Sequence, residues 1–199
     1  YDHNKHCKAI HINCLTMRHP DGPQTDEEKK WQEKFDKDQI IQDGYRTQQA
    51  TKPQTLSYAM MDSPVGIAAW ILEKMHGWSD LKDQNIESVY SKDELLANIM
   101  IYLCTDSFST STWIYFGRSE EGGRMFPSDF KRIEIPTGIV VFPKEMSEWP
   151  PKSYVYRIFN VQQWTIMDKG GHFAALEQPT MLAKDIGAFC SKINIKSDT

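Results

Sequence analysis

The sequence predicts an α/β fold carrying a large helical insertion, and three observations predict it. Short apolar runs rich in Val, Ile and aromatic residues stand at both ends of the chain: AIHINC at 9–14, then IEIPTGIVVF and YVYRIFNVQQWTIM from Ile133 onward. Such runs read as buried strands. The roughly 110 residues between them carry helix start signals and amphipathic patterns, so a nearly all-helical block interrupts the sheet, the layout of a cover over it. Finally, Glu145 ends an apolar strand in PTGIVVFPKE, and His172 follows 27 positions later on the Gly-Gly loop of DKGGHFAALEQP. A carboxylate and an imidazole at the rim of a sheet form a pair able to activate water or a nucleophile.

The elements follow in order. After the first strand, HPDGPQ (19–24) is a turn by its Pro and Gly content. Thr25 to Glu28 form a capping-box pattern, with Trp31 and Phe35 at i, i+4, which predicts a surface-lying helix to about Gln42. GYRTQQATKPQT is predicted as a loop, because the residue before Pro53 disfavours helix. Ser63-Pro64 starts the next helix; VGIAAWILEKM is apolar on nearly all sides and predicts burial, with Lys74 and His76 in the last turn and Gly77 as its stop. Ser91 to Glu94 repeat the capping box, with Leu95, Leu96, Ile99, Met100 and Leu103 as the inward stripe. A further helix is expected over TDSFSTSTWIYF. Pro179 opens a final amphipathic helix with Leu182, Ile186, Phe189 and Ile193 on one face.

Composition narrows the function. Over 199 residues, 40% hydrophobic and 12% aromatic content suits a substantial core. A net charge of −4 provides no basic face for nucleic acid. No apolar run reaches the length of a membrane span, and YDHNKHCKAI lacks a signal core. Cys7, Cys14, Cys104 and Cys190 are scattered without a CxxC unit and read as reduced thiols. His3, His6 and Cys7 are zinc-ligand types close in sequence, but no fourth ligand accompanies them, so neither a metal centre nor a cofactor is expected.

Five stretches, taken together and in order, resemble the epoxide hydrolases of the α/β-hydrolase superfamily, above all the microsomal type that includes the juvenile-hormone epoxide hydrolases. They are GYRTQQATKPQT, DSPVGIAAWILEKMHGWSD, SKDELLANIMIYLCTDSFSTSTWIYF, PTGIVVFPKE and GGHFAALEQPTMLAKDI, and the similarity runs from AIHIN to DIGAFC. The resemblance implies the C-terminal part of an α/β-hydrolase fold: core at 1–15, helical cap at 16–130 and core again at 131–199. It also implies a mechanism in which an Asp opens a lipophilic epoxide to an alkyl-enzyme ester, which water then hydrolyses to a diol. By motif, His172 is the base, Glu145 its orienting acid, and Tyr45 and Tyr115 the lid phenols that hold the epoxide oxygen. The Asp nucleophile of a GGDWG-type turn has no counterpart here, since Asp2 lacks the flanking glycines and the preceding strand. It is expected upstream of Tyr1, leaving these residues inactive alone. Thr47 departs from the family's frequent His. Microsomal relatives are often anchored at the endoplasmic reticulum by an N-terminal helix.

The residue types suit that chemistry. A phenol with an ordinary pKa of about 10 stays protonated at neutral pH and can donate to a developing alkoxide. Imidazole, with an ordinary pKa of about 6.5, suits the hydrolytic base, and a carboxylate on its far nitrogen stabilises the imidazolium. Gly170 and Gly171 allow the excursion that lifts His172 above the sheet. Alternatives stand beside each assignment: Glu148 competes with Glu145, and Tyr102 and Trp113 with Tyr115, while His11 and Asn13 read as core or sheet-edge groups. Trp31, Phe35, Trp70, Phe108, Trp113 and Phe116 either line an apolar pocket or pack the lid. Two other readings are a dehalogenase-like Asp hydrolase, in which the tyrosines need not converge, and a truncated, non-catalytic binding protein.

Overall fold

A computed structural model of the chain describes residues 4–194. Asp2 and His3 therefore lie outside the described residues. Three parallel strands, β1 (Ile10–Ile12), β2 (Ile133–Val141) and β3 (Phe159–Ile166), form a sheet in that order. Parallel neighbours need long crossovers. Between β1 and β2 the crossover consists of α1 (Asp26–Gln42), α2 (Gly44–Thr51), α3 (Pro53–Met61), α4 (Pro64–Trp78), α5 (Lys92–Cys104) and α6 (Phe108–Glu120). Between β2 and β3 it is α7 (Lys152–Ile158); α8 (Ala174–Glu177) and α9 (Pro179–Lys192) follow.

Four successive residues of β2, Thr137 to Val140, are buried, so the strand is covered on both faces. Ile139 packs with Trp31 and Phe35 of α1 and with Tyr154, Val155 and Ile158 of α7. Val140 turns the other way, toward Phe142, Ala174 and Leu182. Gly138 is required there: a Cβ would meet His11 Cδ2 at 2.7 Å and the Phe189 ring at 3.0 Å. His11 Nε2 lies 2.8 Å from Asp185 Oδ2, and Thr165 Oγ1 donates to Asp185 Oδ1 at 2.6 Å, so one buried carboxylate ties α9 to β1 and β3.

Helices α3 to α6 build a second core around Ile67, Ile99 and Phe108. Both capping signals are made. Thr25 accepts from the Glu28 amide, and Ser91 and Glu94 form the reciprocal box. Glu28, however, sends its carboxylate to the Gln24 amide, Ser153 Oγ and Arg157, which makes it a buried link between α1 and α7.

Several expectations change. GYRTQQATKPQT is helical on both sides of a single break at Lys52: the restriction imposed by Pro53 falls on one residue, and the proline then serves as N1 of α3. The first residues of YVYRIFNVQQWTIM form α7, because Tyr154, Val155 and Ile158 bury one helical face. α4 continues through Gly77 to Trp78, and Val65 at its start is exposed. On α5, Leu95 and Ile99 are buried, while Leu96 and Met100 face outward; on α9, Ile186 is partly exposed and Asp185 takes the inward place. Left-handed Asp106 delays the start of α6 to Phe108. No helix among the described residues is long and apolar enough to cross a membrane.

Candidate active site

Glu145 lies four residues past the end of β2, and His172 stands two residues before the start of α8. The two strand ends meet: His172 Nδ1 lies 2.6 Å from Glu145 Oε1, a contact 27 positions apart in sequence. The Glu145 side chain is only 4% exposed and that of His172 25%. Glu145 Oε1 also accepts the Met146 amide at 2.8 Å, whereas buried Oε2 has no partner in the protein. Glu148 does not compete: it is exposed and pairs with Lys34.

The loop is held by a carboxylate that sequence reasoning passed over. Glu177 accepts three backbone N–H bonds, from Asp80 (2.8 Å), Gly171 (2.9 Å) and Phe173 (2.9 Å). Asp80 in turn accepts from the Gly170 amide, and the His172 amide donates to the Trp78 carbonyl at 2.8 Å. The end of α4 is thereby laced to the histidine loop. Both glycines are needed: Gly170 has φ +105°, and a Cβ on Gly171 would sit 2.5 Å from the Trp78 carbonyl oxygen. The detectable signal for Glu177 was an acid just after a Gly-Gly turn rich in unpaired amides.

Burial pulls the pKa of His172 down, but hydrogen bonds with Cys14 and Glu145 and the Glu145 charge outweigh it and raise the pKa to about 10. Cys14, read from sequence only as a reduced thiol, is thus part of the site. Its sulfur, a Glu145 oxygen and a His172 ring nitrogen all lie within 4.8 Å of one another. No aspartate joins this group among the described residues.

Tyr45 and Tyr115 come from α2 and α6, with ring centroids 5.7 Å apart and planes at 82°. Trp78, also missed, bridges them to the histidine: its ring lies 5.4 Å from Tyr45 and 5.2 Å from His172. Burial, then the charge of Tyr115, holds the Tyr45 hydroxyl well above the ordinary tyrosine range, so it remains a donor at all relevant pH. Tyr45, Tyr115, His172, Thr16 and Met146 line one cavity of about 290 Å³ together with Arg46, Arg118 and Arg124. On the far side of the tyrosines lies an apolar cavity of about 420 Å³, walled by Trp70, Ile71, Trp78, Tyr102, Phe108 and Phe173 among others. Of the other aromatics, Trp31 and Phe35 pack under the sheet, and Trp113 and Phe116 pair at the surface of α6. Tyr102 packs against Phe108 in the apolar cavity, His11 is bound to Asp185, and Thr47 lies outside the tyrosine cavity.

A parallel sheet whose strand ends carry an acid and a loop-borne histidine beneath helices defines the α/β-hydrolase class. No known family model matches the chain. It is 42% identical over 147 residues to a putative epoxide hydrolase of Stigmatella aurantiaca, a match covering 72% of this chain and 31% of that protein. It is 40% identical over 152 residues to juvenile hormone epoxide hydrolase 2 of Ctenocephalides felis, covering 74% of this chain and 33% of the relative. The structure of Aspergillus niger epoxide hydrolase superimposes with a TM-score of 0.75 at 29% identity, over 95% of this chain and 47% of that one. The chain belongs to the epoxide hydrolases of the α/β-hydrolase superfamily. It spans about a third of the length of these curated relatives and about half of the solved structure.

Proposed function

We propose that these residues supply the hydrolytic half of an epoxide hydrolase: His172 as the base, Glu145 as the acid that orients it, and Tyr45 and Tyr115 as the donors to the epoxide oxygen. The observation that supports this most is the meeting of the two phenols and the imidazole in one cavity, with a buried carboxylate 2.6 Å behind the imidazole. The epoxide is made electrophilic when two phenols stabilise the oxygen as it gains charge. A carboxylate nucleophile opens the ring to an ester; it is supplied from outside the described residues, as no aspartate stands beside His172 among them. His172, as neutral imidazole, then takes a proton from water, and the resulting hydroxide attacks the ester carbonyl; Glu145 stabilises the imidazolium formed. The substrate is a lipophilic epoxide, its apolar part seated in the aromatic cavity beyond the tyrosines. The division into core at 1–15 and 131–199 with a helical cap at 16–130 belongs to the same proposal.

The test is the chain expressed together with the coding sequence upstream of it, given an aryl epoxide such as styrene oxide. Diol should form, and His172→Ala should accumulate a covalent ester detectable as an added substrate mass. Unimpaired turnover by His172→Ala overturns the proposal. A dehalogenase-like activity would instead release halide from haloalkanes; the facing tyrosines favour the epoxide.

A further inference from the structure

The side-chain group at the strand ends has a property that hydrolysis does not use. Cys14 Sγ, a Glu145 carboxylate oxygen and a His172 ring nitrogen lie within 4.8 Å of one another. Thiolate, imidazole and carboxylate are the donors that hold zinc, and three protein ligands with one open position is the pattern of an accessible zinc site. Zinc bond lengths of about 2.0–2.3 Å place ligand atoms roughly 3.3–3.6 Å apart. The donor atoms, all within 4.8 Å of one another, need to draw together by at most about 1.5 Å to meet it. A second, independent observation points the same way: Glu145 Oε2 is buried and has no partner in the protein, a lone pair facing nothing that donates. Charge also balances, because one divalent cation is neutralised by one thiolate and one carboxylate, with imidazole as the neutral third donor. Of the three donors, His172 lines the cavity it shares with the two tyrosines.

We propose that Cys14, Glu145 and His172 form a binding site for a thiophilic divalent cation of the zinc class, and that its occupancy silences the histidine. On binding, the Cys14 thiol and the His172 imidazolium each lose one proton to solvent and a ring nitrogen of His172 becomes a metal ligand, so the imidazole, its other nitrogen still carrying hydrogen, no longer accepts a proton from water. The silencing rests on the reading of His172 as the hydrolytic base; the binding does not. Asn13 and Thr16 neighbour Cys14 in sequence without offering such donors, so the thiol is the discriminating ligand.

The experiment is a titration of the reduced protein, expressed together with the upstream coding sequence as in the ester-trapping test, with cobalt(II) alone, followed in the near ultraviolet for sulfur-to-cobalt charge transfer, with zinc added afterwards to displace it. The expected result is one such band per chain, bleached by zinc. The variant carrying Cys7→Ser, Cys104→Ser and Cys190→Ser, which keeps Cys14 as the sole thiol among these 199 residues, should retain the band. Cys14→Ser and His172→Gln, each checked for folding by thermal melting, should weaken binding at least about tenfold. The proposal is overturned if the folded wild type gives no band, if the triple variant loses it, or if Cys14→Ser keeps it. Loss on Cys7→Ser would assign the metal to the N-terminal His6–Cys7 stretch instead and overturn it equally. No epoxide enters this titration, so its failure leaves the ester-trapping test of the hydrolase untouched.

Discussion

At the scale of single residues, the site depends on groups that act on His172 from three sides. Glu145 and Cys14 together hold its pKa up near 10 against the pull of burial. Removing the thiol in Cys14→Ser should therefore lower that pKa, measured by NMR titration of the imidazole, and an unmoved titration would contradict the role given to the sulfur. The sign for stability follows from linkage. With a folded pKa above the ordinary value of about 6.5, the pairing stabilises the fold fully below that pH, and its contribution disappears as pH rises toward about 10. On the proposed role of His172 as base, the same elevation makes neutral imidazole abundant only on the alkaline side, so ester hydrolysis should accelerate with pH up to about 10. Glu177 acts through backbone, not through substrate. Glu177→Gln keeps the shape but loses the charge that gathers three amides. It should lower kcat with KM little changed, and a pure KM effect would argue against a positioning role.

At the scale of elements, the helix α1 is anchored through its own first turn. Glu28 joins Gln24, Ser153 and Arg157; burial works to raise its pKa, but these bonds and the Arg157 charge leave it below the ordinary carboxylate value. Its stabilisation is present above the ordinary value and is lost as pH falls through the depressed one. Glu28→Ala leaves Arg157 without its carboxylate and should cost about 3 kcal/mol, read by urea denaturation. Ser91→Ala removes a helix cap and should cost only about 1 kcal/mol. The difference explains what was legible in the sequence. Caps and strand ends are local patterns, so Thr25, Ser63, Ser91, Glu145 and His172 were readable from neighbouring letters. α7 was not, because a seven-residue helix running straight into β3 shares its apolar content with a strand. The lost loop at Lys52 was misread for the reverse reason, as a proline that starts a helix also ends the one before it. Glu177, Trp78 and Cys14 were missed because their importance comes from partners that sequence spacing does not reveal.

For the whole molecule, β1 and β3 are the margins of a three-stranded sheet among the described residues, and β1 is only three residues long. An unpaired strand margin with apolar residues is a template for self-association. Taken alone, the 199 residues should aggregate with concentration and show no epoxide turnover, by light scattering and by diol assay. A soluble monomer that melts cooperatively and hydrolyses epoxide would contradict both the margin and the assignment of the nucleophile to another segment.

The amide of His172 is tethered to the carbonyl of Trp78, the final residue of α4. That bond is a latch between the end of α4 and the histidine loop: the helix end cannot move away from the loop without breaking it. Deuterium uptake at this one amide would count how often the latch lifts.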